Sequence, residues 1–171
     1  MADAGYPPRR SLRNSRGGRH HRSRLGLRRR RGREGAVSAS AALQIALIAH
    51  LKADPAVSGH LGERIFDNAP VGASYPYLTL GPAQEIDDSA DCVDGSECFQ
   101  QIDIWTQEGG SQMSAKTICG AVRQSIRHSD LELADPYALV LVDVTSWSVI
   151  GDPDEKVAHG IVTVRALVDG S

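Results

Sequence analysis

The 171-residue chain carries 19 basic and 21 acidic residues, a formal charge of −2, and three cysteines. So few cysteines argue against a disulfide-stapled secreted domain and favour a reducing compartment. The longest apolar stretch, residues 41–51, falls far short of the ~20 residues that a membrane-spanning helix needs.

The small net charge conceals an asymmetry between the first 34 residues and the rest. Residues 1–34 contain twelve basic and two acidic residues, whereas residues 35–171 contain seven basic and nineteen acidic ones. The first segment therefore carries about +10 and the rest about −12. Such a difference predicts a tail and a body with separate roles.

The predicted tail, residues 1–36, is rich in arginine, serine and glycine and has few sizeable apolar side chains. It cannot bury enough apolar surface to offset the entropy cost of ordering, so we expect it to be disordered. The folded domain is then residues 37–171. The candidate nucleic-acid contacts are four consecutive arginines, Arg28, Arg29, Arg30 and Arg31.

The first predicted element of the body is a helix over residues 38–54, which Ser38 or Ser40 can cap and Pro55 ends. Its apolar residues share one face. A short turn with Val57 and Leu61 pointing inward is predicted next, followed by a brief strand at Arg64–Asp67.

The middle of the body predicts two strands around an acidic segment. Residues 75–81 favour a strand bounded by turn-forming residues. The acidic run, residues 83–100, has six acids and few apolar residues, which predicts a long mobile connection with fraying strand ends. Alternation in residues 99–107 predicts a strand with Ile102 and Ile104 on one face and Trp105 on the other.

The last part predicts a helix and two long strands. Residues 111–128 have a helical apolar stripe, and residues 137–150 and 156–168 favour strands joined by a turn at "GDPDE". The stripe consists of Ala115, Ile118, Cys119, Val122 and Ile126. This order predicts an α+β fold in which an antiparallel-rich sheet has two helices packed on one face. We expect another subunit to cover the remaining face or edges.

Signs of catalytic chemistry are weak. The phosphate-loop, dinucleotide-binding, zinc-protease and nucleophile-elbow motifs are missing from the sequence. The aspartates at 87, 88, 91 and 94 do not have the spacing of a calcium loop, and His159 has no carboxylate partner at ligand spacing. Cys119 is expected in the core, while Cys92 and Cys98 could approach each other in the acidic run. We therefore predict no enzyme activity, no metal and no cofactor.

Three segments in order resemble the tail-completion, or tail-terminator, proteins of long-tailed phages, prophages and gene-transfer particles. They are the G-x-R-I-F-D-x-x-P stretch at Gly62–Pro70, the Tyr75-Pro76-Tyr77 run, and the Ile104-Trp105 strand leading to a helix with Ala115-Lys116. The resemblance covers residues 38–168.

The resemblance implies an α+β subunit without catalytic residues. Such subunits form a ring, usually a hexamer, on the head-proximal end of the tail tube. The implied partners are further copies of the chain, the tail tube protein and the head-tail connector protein. DNA would pass through the ring without specific binding, and no membrane is involved. The protein would be assembled in the bacterial host cytoplasm and reside in the virion tail.

The sequence leaves open both the nature of the tail and the function of the protein. The family does not usually carry an arginine tail, so residues 1–36 are an over-extended gene start before Val37, a disordered appendage, or a DNA- or capsid-binding segment. The rival function is a nucleic-acid-binding protein acting through that tail, with steep salt dependence. A metal-dependent enzyme using the acidic run is a weaker rival.

The acidic run has two interpretations under the ring hypothesis. Asp87, Asp88, Asp91 and Asp94 line the ring lumen, its mouth or an interface, where carboxylates near the passage would repel phosphates. Alternatively, they belong to a solvated outer loop.

Overall fold

The computed structural model describes residues 37–90, 94–151 and 156–170, so the predicted tail lies outside the described residues. These ranges form three helices and five strands. The helices are α1 Ala39–Ala53, α2 Pro55–Leu61 and α3 Met113–Arg127. The strands are β1 Ile65–Phe66, β2 Tyr77–Asp87, β3 Gly95–Gln107, β4 Ala138–Gly151 and β5 Val157–Asp169. The α+β prediction is confirmed, with one helix more than expected.

The five strands form one sheet in the order β1-β2-β3-β5-β4. Only β1 and β2 run parallel, and the other three pairings are antiparallel. The last strand in chain order, β5, therefore lies between β3 and β4. The predicted turn between β4 and β5 falls mostly in residues 152–155, outside the described ranges.

The core lies between one face of the sheet and the helices. In β5, every second residue from Ala158 to Val168 is buried or nearly so, as expected of a strand with one covered face. The predicted stripe of α3 is entirely buried, and Ile118 joins Ile102 and Ile104 in the same core cluster. The predicted packing of this helix on the sheet is confirmed. Within the described ranges, no helix is long and apolar enough to span a membrane.

The segment after α1 is a helix, not the predicted turn. Ser38 caps α1 as expected, because its Oγ accepts a hydrogen bond from the Ala41 N–H. Asp54 then caps α2, with Oδ1 2.7 Å from the Ala56 nitrogen. Pro55 follows at the first helical position, where its missing N–H has no cost. A residue that ends one helix thus begins the next.

Both ends of the acidic run belong to strands, so the connection between β2 and β3 is shorter than predicted. β2 continues to Asp87 and β3 begins at Gly95. β3 pairs with β2 on one side and β5 on the other along its length, so backbone hydrogen bonds hold it whatever its outer side chains are. Cys98 lies in β3 inside the core, so its predicted place in an acidic loop is wrong. Cys92 lies outside the described residues, so its approach to Cys98 stays a prediction.

Candidate functional site

The sheet face turned away from the helices, here called the open face, is not covered by any element of the described residues. The strand register sorts its side chains into rows across the sheet. One end row contains Tyr77, Trp105, His159 and Ile150. The row at the other end contains Ile86, Glu97, Leu167 and Leu141. Ile86, Leu141 and Ile150 are each at least 41% exposed, so apolar side chains stand at both ends of this face.

Aromatic rings stack along one end of the open face. The ring centroids of Trp105 and His159 are 3.9 Å apart, with planes inclined by 7°. Tyr77 lies 6.5 Å from Trp105, and Tyr75 lies 5.3 Å from Tyr77. Stacked rings are rigid and offer a large, partly polar contact area, a property of protein interfaces.

Several polar and charged side chains of the open face are paired with one another. His159 Nε2 is 2.7 Å from Asp103 Oδ1, and Gln101 Nε2 donates to the same oxygen at 2.8 Å. Arg165 pairs with Glu97 nearer the other end. Arg165 is engaged by Glu97 and has a further carboxylate, Asp143, opposite it on β4, so the face offers little positive charge with which to hold a polyanion.

His159 has a carboxylate partner that the spacing of residues along the sequence does not reveal. Asp103 and His159 are 56 residues apart and meet only through the register of β3 with β5. Gly81 makes room for this carboxylate, since a Cβ there would collide with Asp103 Oδ2. The sequence pattern predicted the strands that carry Asp103 and His159. It did not predict the register of β3 with β5 that brings the two side chains together.

The predicted acidic candidates cluster where β2 turns into β3. Asp87 ends β2, Asp88 follows it and Asp94 precedes β3, and all three are exposed. Asp91 and the arginines 28–31 lie outside the described residues. In residues 37–90, 94–151 and 156–170, no three histidine, cysteine, aspartate or glutamate side chains gather as metal ligands.

An irregularity in β2 decides which way these acids point. The register shifts between Leu80 and Ala83. Beyond it, Glu85 pairs with the buried Cys98 and lies on the helix side, where its Oε2 accepts from the Ser40 N–H at 2.9 Å. Asp87 has the same parity as Glu85, so it also lies on the helix side, and Ile86 lies on the open face.

Two cavities lie in the helix layer. A polar one of about 330 Å³ opens between α2, the end of β3 and the start of α3. Its lining includes Thr106, whose Oγ1 is buried without a hydrogen-bond partner in the described residues. An apolar groove of about 420 Å³ runs between α1 and residues 132–137. The apolar groove is separate from the open face, whereas the polar cavity reaches Tyr75 beside the aromatic rings of that face.

Two cysteines are buried free thiols, and the prediction that Cys119 is a core residue is confirmed. Burial raises the pKa of both Cys98 and Cys119 to about 11. The folded state therefore holds these protons more tightly than the unfolded state. This contribution to stability is complete below the unfolded pKa, 9.0, and is lost as the pH rises toward 11.

Iodoacetamide should label Cys98 and Cys119 at least about 100-fold more slowly in the native protein than in the urea-unfolded chain at pH 8, because the thiolate is the reactive form. Peptide mass spectrometry after timed quenching measures both rates separately. Native labelling at the unfolded rate would contradict the buried placement of these thiols.

The comparison with known families identifies this fold. Residues 45–169 match the model of the family described as tail completion protein gp17. The chain belongs to this family. No curated protein sequence matches it. The resemblance inferred from the sequence is thus confirmed over most of the body.

Two solved structures are similar to the chain. A chain in the virion of a native gene transfer agent particle superposes with a TM-score of 0.71 at 26% identity, covering 78% of this chain and all of that one. The gp17 protein of bacteriophage SPP1 superposes with a TM-score of 0.52 at 20% identity, covering 75% of this chain and 89% of that one. The second match supports the fold alone. Family membership makes this tail completion protein a structural component of a phage-type virion tail.

Proposed function

We propose that this tail completion protein is a tail terminator. Six copies form a ring on the head-proximal end of the tail tube, where the ring ends tube growth and joins the tail to the head connector. It works as a structural part, without a catalytic step or a cofactor. The family match supports this role, and so does the full-length similarity to a chain of an assembled gene transfer agent virion.

The observation that carries the ring proposal is the exposed apolar edge of the sheet. Exposed apolar side chains stand along the edge strand β4, among them Val140 at 67% and Ile150 at 50%. An apolar edge strand of this length promotes unwanted pairing unless a partner covers it. Identical neighbours in a closed ring would provide that cover.

The open face is the proposed lining of the DNA passage. Its basic side chain Arg165 is already engaged by Glu97, and His159 by Asp103, so a polyanion would pass without strong attraction. Asp88 and Asp94 stand at the end of the sheet, and we place them at the mouth of the passage. Asp87 lies on the helix side, so we place it at an interface between subunits.

The first test is the oligomeric state of the full chain and of a variant lacking residues 1–36. Both should form particles of six times the subunit mass in native mass spectrometry, with a ring visible by electron microscopy. The full chain has a subunit mass of 18.3 kDa. We expect assembly to depend on the body, because the surfaces described above all lie within residues 37–170. Monomers of both proteins at micromolar concentration would contradict the proposal.

The same pair of proteins tests the rival nucleic-acid-binding function. If the arginine tail is the working part, deleting residues 1–36 abolishes DNA binding and leaves no other activity. If the body is a terminator, the deletion variant still restores joined, correctly ended tails in particles lacking the gene. A map of the ring with residues 88–94 on its outer rim would refute the position at the mouth.

A further inference from the structure

A row of basic side chains runs along one side of α3. Lys116, Arg123 and Arg127 are spaced by seven and four residues, which places them on one helix face. We call this the basic face. α3 contains no acidic residue, and these three are among only seven basic residues in residues 35–171. Within the described ranges, their side chains take part in neither an ion pair nor a hydrogen bond.

The contacts of α3 show which way the basic face is turned. Ser125, on another side of the helix, bonds to His50 of α1 through its Oγ at 2.9 Å. Ser114 and Thr117 line the polar cavity together with His60 of α2. The neighbouring helices therefore occupy one flank of α3. The basic face lies on the opposite flank, toward the edge strand β4, which α3 also contacts.

The surface beside the basic face has an aromatic anchor. Trp147 of β4 pairs with the buried Val162, which places it on the helix side of the sheet. Its side chain is nevertheless 42% exposed. A partly exposed tryptophan is a residue type found at the energetic centre of protein interfaces, and its strand is one that α3 contacts.

The opposite flank of the subunit is acidic. β1 pairs with Leu78 and Thr79, so residues 81–87 of β2 lie at the outer edge of the sheet within the described ranges. Asp67, Glu85 and Asp87 are exposed along it, and we call them the acidic edge. Glu85 and Asp87 lie on the helix side, the same layer as α3. Residues 65–67 and 77–88 contain no lysine or arginine.

We propose that the basic face of α3 docks on the acidic edge of the next copy of this chain. The inference rests on the proposed ring and names its contact surfaces. A closed ring needs two different, complementary surfaces on one chain. The body is strongly acidic, so identical subunits repel each other unless their contact joins opposite charges. The two surfaces lie on opposite flanks and in the same layer, which is the arrangement that a head-to-tail contact needs.

Charge reversal tests the contact in the full chain. The basic-face variant is Lys116→Glu/Arg123→Glu, and the acidic-edge variant is Asp67→Lys/Asp87→Lys. Each should raise the apparent dissociation constant of the ring at least about tenfold in sedimentation velocity. The matched control is Lys52→Glu/Lys156→Glu, which reverses two exposed lysines elsewhere and should leave the ring intact. Circular dichroism verifies that each variant is folded.

Mixing the two defective variants is the decisive measurement. The first has acids on both flanks and the second has bases on both, so an equimolar mixture should form rings in which they alternate. If both charge-reversal variants form rings as stably as the wild type does, the proposed contact is overturned but the ring is not. A mixture that stays dissociated would also overturn it, as would a basic-face variant that keeps its rings and loses DNA binding. A wild type without rings would instead reject the proposed function.

Discussion

Replacing Ile118 with alanine should lower the free energy of unfolding by about 2–5 kcal/mol. Ile118 is 2% exposed and lies in the core cluster with Ile102 and Ile104. The shortened side chain would leave a cavity between α3 and the sheet. Both neighbours are held by a sheet with partners on each side of β3, so the site cannot collapse readily to fill the space. Urea unfolding followed by tryptophan fluorescence measures the loss.

Ile45→Ala is the matched control for this substitution. Ile45 also lies within a 15-residue helix but is 64% exposed. Its truncation should change the free energy of unfolding by less than about 0.5 kcal/mol. A similarly small loss for Ile118→Ala would mean that α3 does not cover the sheet through this residue.

Gly160→Ala should destabilise the protein by about 1–3 kcal/mol, although alanine usually suits a strand better than glycine. Gly160 lies in β5 beneath α3. A Cβ at this position would be 2.6 Å from Cys119 Sγ and 3.3 Å from Ile104 Cβ. Both neighbours are fully buried and cannot move away into solvent. Overpacking therefore decides the sign of the effect, and thermal and urea unfolding measure its size.

Two further variants separate overpacking from other causes. Gly120→Ala places the same methyl group on the helix packed against β5, where no atom lies within 4 Å of the new Cβ, and it should be neutral or stabilising. Cys119→Ala removes the sulfur that the new methyl group meets, so the double variant Gly160→Ala/Cys119→Ala should be more stable than the sum of the single effects predicts. Additive losses would contradict the steric explanation.

The helix layer was largely predictable because its signals are local. The spacing of the apolar residues in α3 identified the buried stripe, and Ser38 marked the start of α1. The exception was α2, where Asp54 and Pro55 together signal a helix start but were interpreted as the end of α1 and a turn. Seven residues are too few for a clear helical period, so capping was the only signal there.

The sheet was less predictable because its determinants are not local. The acids from Glu85 to Glu97 suggested a loop, yet Glu85, Asp87 and Glu97 have partners in neighbouring strands that supply hydrogen bonds. The Asp103–His159 pair, the open face and the direction of Asp87 all depend on strand register. The shift between Leu80 and Ala83 reverses the inward and outward positions that simple alternation would assign to Asp87.

The place of β5 in the sheet has a consequence for biosynthesis. β3 and β4 are both synthesised before β5, the strand that lies between them in the sheet. Until β5 leaves the ribosome, neither strand can form its hydrogen bonds with it. The nascent chain cannot complete its core one segment at a time, and folding must await a pairing between distant parts of the sequence. A polysome would then carry subunits whose edges are not yet formed. Two nascent chains that meet on a polysome would not form a stable subunit contact. Only released polypeptides would then assemble into the proposed ring.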